Sequence, residues 1–364
     1  MSIRSADGWD NYTDLTLRYS VVNSLGGSLM LVQAGSKRTG TAGLRYQVGT
    51  WQSPAASQFV YIQEPYQAAL STAIHGIAIR PTLFPLVGAN RGQHHGEFFS
   101  WADGTNKQIS FHLDASGQLL VYNGSNTLLG TTTRQLLLNV WRYLEFKVMF
   151  HGTNGTVEVR VDGDVVLSLT GVNTKGSGGN QATAYNIGMF GNNGNNDNTQ
   201  NLQCDLDDSI SIDTFGTLNN NFIGDQAVVT AFPTANSTPL DFSRGGTDSG
   251  ANFSQVDENP PNGDTDYVFS STVGNIDHYV FPAITASVIK AMIINIIARK
   301  TDGSPRSIRA SVKSGATTTP SATDLPLSTT YFNYQGVFET DPNTGLPWTQ
   351  GGFNAAVKGQ KVTV

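Results

Sequence analysis

Gly155-Thr156-Val157-Glu158-Val159-Arg160-Val161-Asp162-Gly163-Asp164-Val165-Val166-Leu167-Ser168-Leu169 is the stretch whose reading decides the fold. Val157, Val159 and Val161 alternate with polar residues, the period of a strand with one buried face. Asp162-Gly163 then supplies two residues that tolerate positive φ, a strong short-range signal for a hairpin. Upstream, Trp141 to Phe150 reads as the preceding strand, with Trp141, Tyr143, Phe146 and Val148 as core side chains. Ser116-Gly117 lies between Ile109–Leu113 and Gln118–Tyr122 and predicts another hairpin; Asn123-Gly124 and Asn154-Gly155 are further turn candidates. Helical periodicity is nearly absent. Short strands at this spacing predict an all-β sandwich.

Working outward, Asn173 to Gln200 reads as an exposed loop, because Gly and Asn accept positive φ and bury little. Alternation returns at Leu206, Ile210, Ile212 and Phe215 and stops at Asn219-Asn220-Asn221. This places a junction near Phe222–Asp225, giving domains 1–222 and 223–364. In the second domain, Phe242 to Asp266 reads as a long polar loop. Tyr267–Thr272, His278–Phe281, Arg306–Val312 and Ser328–Thr340 read as strands. Val288 to Ile297 is apolar and β-branched; its length suits a buried helix equally, and its β-branched content favours a central strand buried on both faces.

Composition excludes several classes. Only 14% of the 364 residues are charged, and the net charge is −6. Through Phe222 there are 13 basic and 16 acidic residues, and afterwards 9 and 12, so each half carries −3. Neither half has the basic surplus that phosphate neutralisation needs, which argues against nucleic acid. The single Cys204 excludes a disulfide framework and a cysteine zinc site, and reads as a small buried hydrophobe. No apolar run approaches 18 residues and Met1–Ser20 has no signal-peptide core, so neither membrane insertion nor export by the standard route is expected.

Trp141 to Phe215, with Trp-Arg-Tyr-Leu-Glu-Phe-Lys-Val, Gly-Thr-Val-Glu-Val-Arg-Val-Asp-Gly-Asp and Asp-Asp-Ser-Ile-Ser-Ile-Asp, resembles concanavalin A-like lectin/glucanase (laminin-G-like) jelly rolls. The likeness runs from about Gly8 to Phe222. In the second half, Gly224-Asp225, Val256-Asp257-Glu258, Asp264-Thr265-Asp266-Tyr267-Val268, Gly274-Asn275-Ile276-Asp277, Ala298-Arg299-Lys300-Thr301-Asp302-Gly303 and Asp341-Pro342-Asn343-Thr344-Gly345-Leu346-Pro347-Trp348-Thr349 resemble a module of tailed-bacteriophage virion proteins. Together these imply a concanavalin A-like jelly-roll sandwich followed by a second, smaller β-sandwich.

The candidate sites are few. A retaining glucanase would show Glu-x-Asp-x-x-Glu, a close carboxylate pair; that motif is absent, and Glu158 sits opposite the Val face, towards solvent. Asp205, Asp207 and Asp208 could offer hard oxygen ligands to Ca²⁺, or could cap turns and bind backbone amides. Trp51, Tyr61, Tyr66, Trp101 and Tyr185 are ring candidates for glycan stacking, with burial in the core as the plainer reading. His94-His95 reads as an exposed loop pair, and His75, His112, His151 and His278 show no partner motif. Asp241 to Asp277 holds seven acids and one base, and Lys290 to Lys313 six bases and one acid. Lys290, Arg299, Lys300, Arg306 and Arg309 therefore face acids within one sandwich or on another copy.

The resemblances imply a non-enzymatic structural protein of a tailed-phage virion, made in host cytoplasm. It would decorate the capsid or the tail surface through interfaces with other virion proteins, as a homo-oligomer in contact with host-surface polysaccharide. A carbohydrate-binding adhesin of tail-fibre or spike type is the alternative, and a polysaccharide-degrading enzyme the third class.

Overall fold

The structure is a computed structural model that describes residues 1–23, 29–48, 60–85, 95–190, 202–247 and 250–364. Two large antiparallel sheets face each other. The first has eight strands in the order Asp164–Val172, Gly155–Val161, Arg142–Met149, Thr72–Leu83, Gln203–Asp213, Gly43–Gln47 and Leu29–Gln33, with Ile3–Asp7 added beside Gln203–Asp213. The second has seven, in the order Leu128–Gln135, Gln118–Asn123, Asn106–Asp114, His95–Asp103, Ala182–Met189, Val60–Leu70 and Ser20–Asn23. The fold is the expected all-β jelly roll.

The Val157/Val159/Val161 face lies in the core between these sheets with Phe146, Val148, Phe99, Phe111 and Trp101. Asp162 and Gly163 turn the hairpin at φ 54° and 88°, values a β-branched residue would resist. Tyr143 instead lies outside the eight-stranded sheet, where its hydroxyl stands over Gly76; a Cβ there would come within 2.5 Å of it. Trp141 is half-buried under the Arg80 guanidinium, 5.1 Å from its ring, and does not join the core.

Many strands escape the sequence reading, among them Ser243–Gly246 inside the expected polar loop Phe242 to Asp266, and two of them are central in their sheets. Ala182–Met189, expected within a loop, is a central strand between His95–Asp103 and Val60–Leu70. Its Asn186 side chain bonds to Gln63 across the sheet, which compensates for a residue poor in strands. Val357–Val362, a polar run, is a middle strand of the second half, and Gln350–Ala355 before it is a short helix.

The second half adds two layers. A six-stranded sheet runs Ala235–Leu240, Ile276–Val280, Val357–Val362, Ser307–Ser314 and Thr317–Pro320, with Leu325–Pro326 beside Ser307–Ser314. Met292–Ala298 pairs with Phe332–Phe338 as a separate two-stranded sheet. One face of that pair, Met292, Ile294 and Phe338, packs on Ala310 and Val312 of the six-stranded sheet. The other, Ile293 and Val337, packs on Ile3, Ile74, Ile210 and Ile212 outside the eight-stranded sheet. The strand expected to be central and buried on both faces is instead one of a two-stranded pair lying between two sheets, with Met292 and Ile294 buried, Ile293 and Ile297 half-buried and Asn295 exposed. The layering leaves the outer face of the seven-stranded sheet away from the second half.

Candidate functional site

Strand register builds a polar row across that outer face. Ser20 opposes Gln63, Gln63 opposes Asn186, Asn186 opposes Ser100, Ser100 opposes Ser110, and Ser110 opposes Tyr122. At about 4.8 Å per strand the row is about 24 Å long. Asn186, Ser100 and Ser110 are fully buried, so it is not an ordinary fringe of solvated side chains. Gln63 donates to Asn186 at 2.8 Å, and Asn186 donates to Ser100 at 3.4 Å.

A second cluster stands beside the row. A bulge after Glu97 keeps Glu97 opposite His112, on the same face as His95. The Nδ1 atoms of His95 and His112 share a hydrogen bond of 2.9 Å, and His112 Nε2 meets the Ser110 hydroxyl at 2.9 Å. Tyr122 stacks on His95 with centroids 4.8 Å apart and meets His112 edge-on at 4.9 Å. Burial, with the neighbouring His95 and Lys107, pushes His112 well below the usual imidazole range. It is therefore neutral at pH 7, and the two rings form a donor–acceptor pair. Burial raises the Glu97 carboxyl while the Lys107 ammonium, in an ion pair with it, pulls the other way. Tyr61 and Phe190 pack edge to face, 4.9 Å apart, near Glu97, whose carboxylate accepts from the Phe190 amide at 3.3 Å. His95 is thus a strand residue with ring partners, correcting its reading as an exposed loop histidine. His112 gains a partner by register alone.

The ring candidates turn the other way. Trp101 and Tyr185 oppose each other on the inner face and are buried. The Trp101 indole donates to the Tyr66 hydroxyl at 2.8 Å, and the Tyr185 hydroxyl donates to Glu64. Tyr66, Trp101 and Tyr185 are inner-face residues; Tyr61 alone of the four described candidates lies on the outer face, and Trp51 lies outside the described residues, as does His94.

The aspartates sit on the opposite side of the molecule, outside the eight-stranded sheet. Asp205 meets Arg45 at 2.7 Å, Arg80 at 2.6 Å and the Ser36 hydroxyl at 2.6 Å. Asp207 accepts the Arg38 and Thr39 amides at 2.6 and 3.0 Å; burial and Asp208 still raise it to about 7. Asp208 accepts the Thr39 hydroxyl and the Val228 amide, both at 2.7 Å. These carboxylates hold loop 36–41 and the segment leading to the second half. Among the described residues no group of three or more His, Cys, Asp or Glu side chains is placed to hold a metal ion. In the second half, Arg299 bonds both oxygens of Asp264, Arg306 meets Asp302, Arg309 bonds both oxygens of Asp324, and Lys300 donates to the Ser304 carbonyl. Lys290 gives only its carbonyl, to Asn219.

No protein-family model matches the chain, and no curated protein matches it. Solved structures do. A fungal endo-β-1,4-glucuronan lyase from Trichoderma reesei superposes with a TM-score of 0.43 at 13% identity, over 58% of this chain and 96% of its own. An alginate lyase from a Chlorella virus gives 0.37 at 14%, over 58% and 99%. A β-1,3-1,4-glucanase from a mouse hindgut metagenome gives 0.35 at 15%, over 57% and 98%. The likeness is one of fold. It corrects the expectation of a chain without catalytic activity, since the jelly roll is shared with polysaccharide lyases and glucanases.

Proposed function

We propose that the first half engages an extended polysaccharide along the outer face of the seven-stranded sheet, and that the second half holds it on a virion. The half-exposed Gln63, Tyr61 and His95 carry this reading, held in place by the buried polar row of Asn186, Ser100 and Ser110 between them. From Gln63 to Tyr122 the row spans four inter-strand steps, about 19 Å, a length that suits a ligand that is itself a line of hydroxyl groups. The ring edges of Tyr61 and Phe190 add apolar contact beside the row. Virion attachment rests on the motifs of the second half that resemble phage modules. Its partners would be capsid or tail proteins.

The chemistry that fits the His95–His112–Tyr122 end is elimination on a uronate-containing chain. The half-exposed His95, oriented by the buried His112, takes the proton next to the carboxyl, the bond to the leaving sugar oxygen breaks, a carbon–carbon double bond forms, and the leaving oxygen receives a proton. Hydrolysis by a carboxylate pair is less suited, because the Glu97 carboxylate is already committed to Lys107. The test is retention of the purified chain on host-surface and uronate polysaccharides, with ultraviolet detection of the unsaturated product. Gln63→Ala is expected to weaken retention about five- to tenfold, one hydrogen bond's worth. Tyr122→Phe is expected to remove product while keeping retention. Unchanged retention in Gln63→Ala would overturn the binding face, and absence of the chain from purified particles would overturn attachment.

A further inference from the structure

The second half is an unfinished sandwich. Beside its six-stranded sheet lie two separate two-stranded pairs, Met292–Ala298 with Phe332–Phe338 and Ser243–Gly246 with Asp266–Phe269, and among the described residues the edge of Met292–Ala298 away from Phe332–Phe338 carries no strand. A groove of about 860 Å³ opens along that edge, lined by Val229, Phe269, Phe281, Val288, Ile293 and Ile297 among others. Val229, Phe269 and Val288 are 64%, 51% and 64% exposed. Apolar side chains that open beside an unpaired strand edge mark an interaction surface.

Some charges of the groove are paired within the chain, Arg299 with Asp264 and Arg306 with Asp302, and others are not. Lys358 lies in its floor, 5% exposed, and its ammonium donates to the Phe353 carbonyl at 3.0 Å and stands 4.8 Å from the Phe353 ring. Lys290 and Lys300 line the same groove. On the opposite wall, Glu258 leans on Asp266, and burial with those acids raises its carboxyl to about 7. Among the described residues, no ion pair joins any of these lysines to these acids.

We infer that this groove is the contact between copies of the chain, with the acidic wall at Glu258 and Asp266 of one copy set against the basic wall at Lys290 and Lys300 of the next. A two-fold axis makes such a contact self-complementary, since each copy supplies both walls. It covers the open half of each six-stranded sheet and both unpaired edges. The inference does not depend on the glycan-binding face.

Light scattering of the full chain tests it. The wild type is expected at a multiple of the chain mass, falling towards the single-chain mass as salt is raised. Val288→Asp and Phe269→Asp, both at exposed positions, are expected to give the single-chain mass with an unchanged melting temperature. Glu258→Lys and Lys290→Glu are each expected to dissociate alone and to reassociate when mixed, because only the mixture pairs opposite charges. A wild type at the single-chain mass, or variants that keep the wild-type mass, would overturn the inference. So would a mixture of the charge variants that stays dissociated.

Discussion

Buried charge is handled differently in the two halves of the molecule. In the first, Arg18, 3% exposed, meets both Asp7 and Glu64, Asp205 meets Arg45 and Arg80, and Glu97 meets Lys107. In the second, Lys358 ends on a carbonyl and an aromatic ring, and Glu258 on another acid. The apolar layers differ in the same sense. Two sheets of eight and seven strands cover each other in the first half, whereas among the described residues of the second a six-stranded sheet has beside it two separate two-stranded pairs. The first half is electrostatically and sterically closed, and the second is built to be closed by something else.

The largest effect should come from opening the closed half. Arg18→Ala leaves Asp7 and Glu64 without their cation and is expected to cost about 3–5 kcal/mol in denaturant unfolding. A cost near zero would erase the contrast. The opposite sign is expected for Lys358→Met, which removes a cation that the fold does not neutralise. Burial holds this lysine at about 8. Its penalty is thus complete below pH 8 and fades as pH rises to about 10.5, and the variant should gain about 2 kcal/mol at pH 7. Equal pH profiles for wild type and variant would contradict this.

A third test acts within the closed half. His75 lies between Phe99 and Tyr185, and burial pushes it down to about 3. The unfolded chain protonates this imidazole below about pH 6.5 while the folded chain does not, so stability falls on acidification through that range. The wild type should lose about 2 kcal/mol at pH 5 that His75→Phe keeps, measured as the difference between the two unfolding profiles. The smallest effect belongs to the hairpin: Gly163→Ala at φ 88° should cost about 1 kcal/mol and leave the mass and ligand retention unchanged.

The hairpin at Asp162-Gly163 and the Met292–Ala298 strand were legible because turn chemistry and β-branched content are local, whereas the half-open second face of that strand was not. Ala182–Met189 was not, since what admits Asn186 to a central strand is Gln63, over a hundred residues away in sequence. Val357–Val362 reads as polar because one of its faces carries Lys358 and Gln360, which are buried against neighbours the sequence does not order. The candidate site was legible in residue type but not in place. Tyr61, one of the five ring candidates, lies on the outer face, and the pairing of His95 with His112 arises from a register that a bulge after Glu97 determines. The acidic cluster reads as turn caps first and as cation ligands second. Only the structure shows that Arg45, Arg80 and backbone amides reach it.

The link between the halves also has a mechanical side. Glu145 accepts the Ile223 and Gly224 amides at 2.9 Å, Asp208 accepts the Val228 amide at 2.7 Å, and Glu339 accepts the Asn219 amide group at 3.0 Å. A tether fastened at these points cannot act as a free hinge. A pull on the outer face of the seven-stranded sheet therefore reaches the second half as shear across the Ile293–Val337 and Ile210–Ile212 layer, where many side chains must slide together before any one contact fails. The chain transmits load as a laminate does, through the area of its layers and not through the strength of a cord.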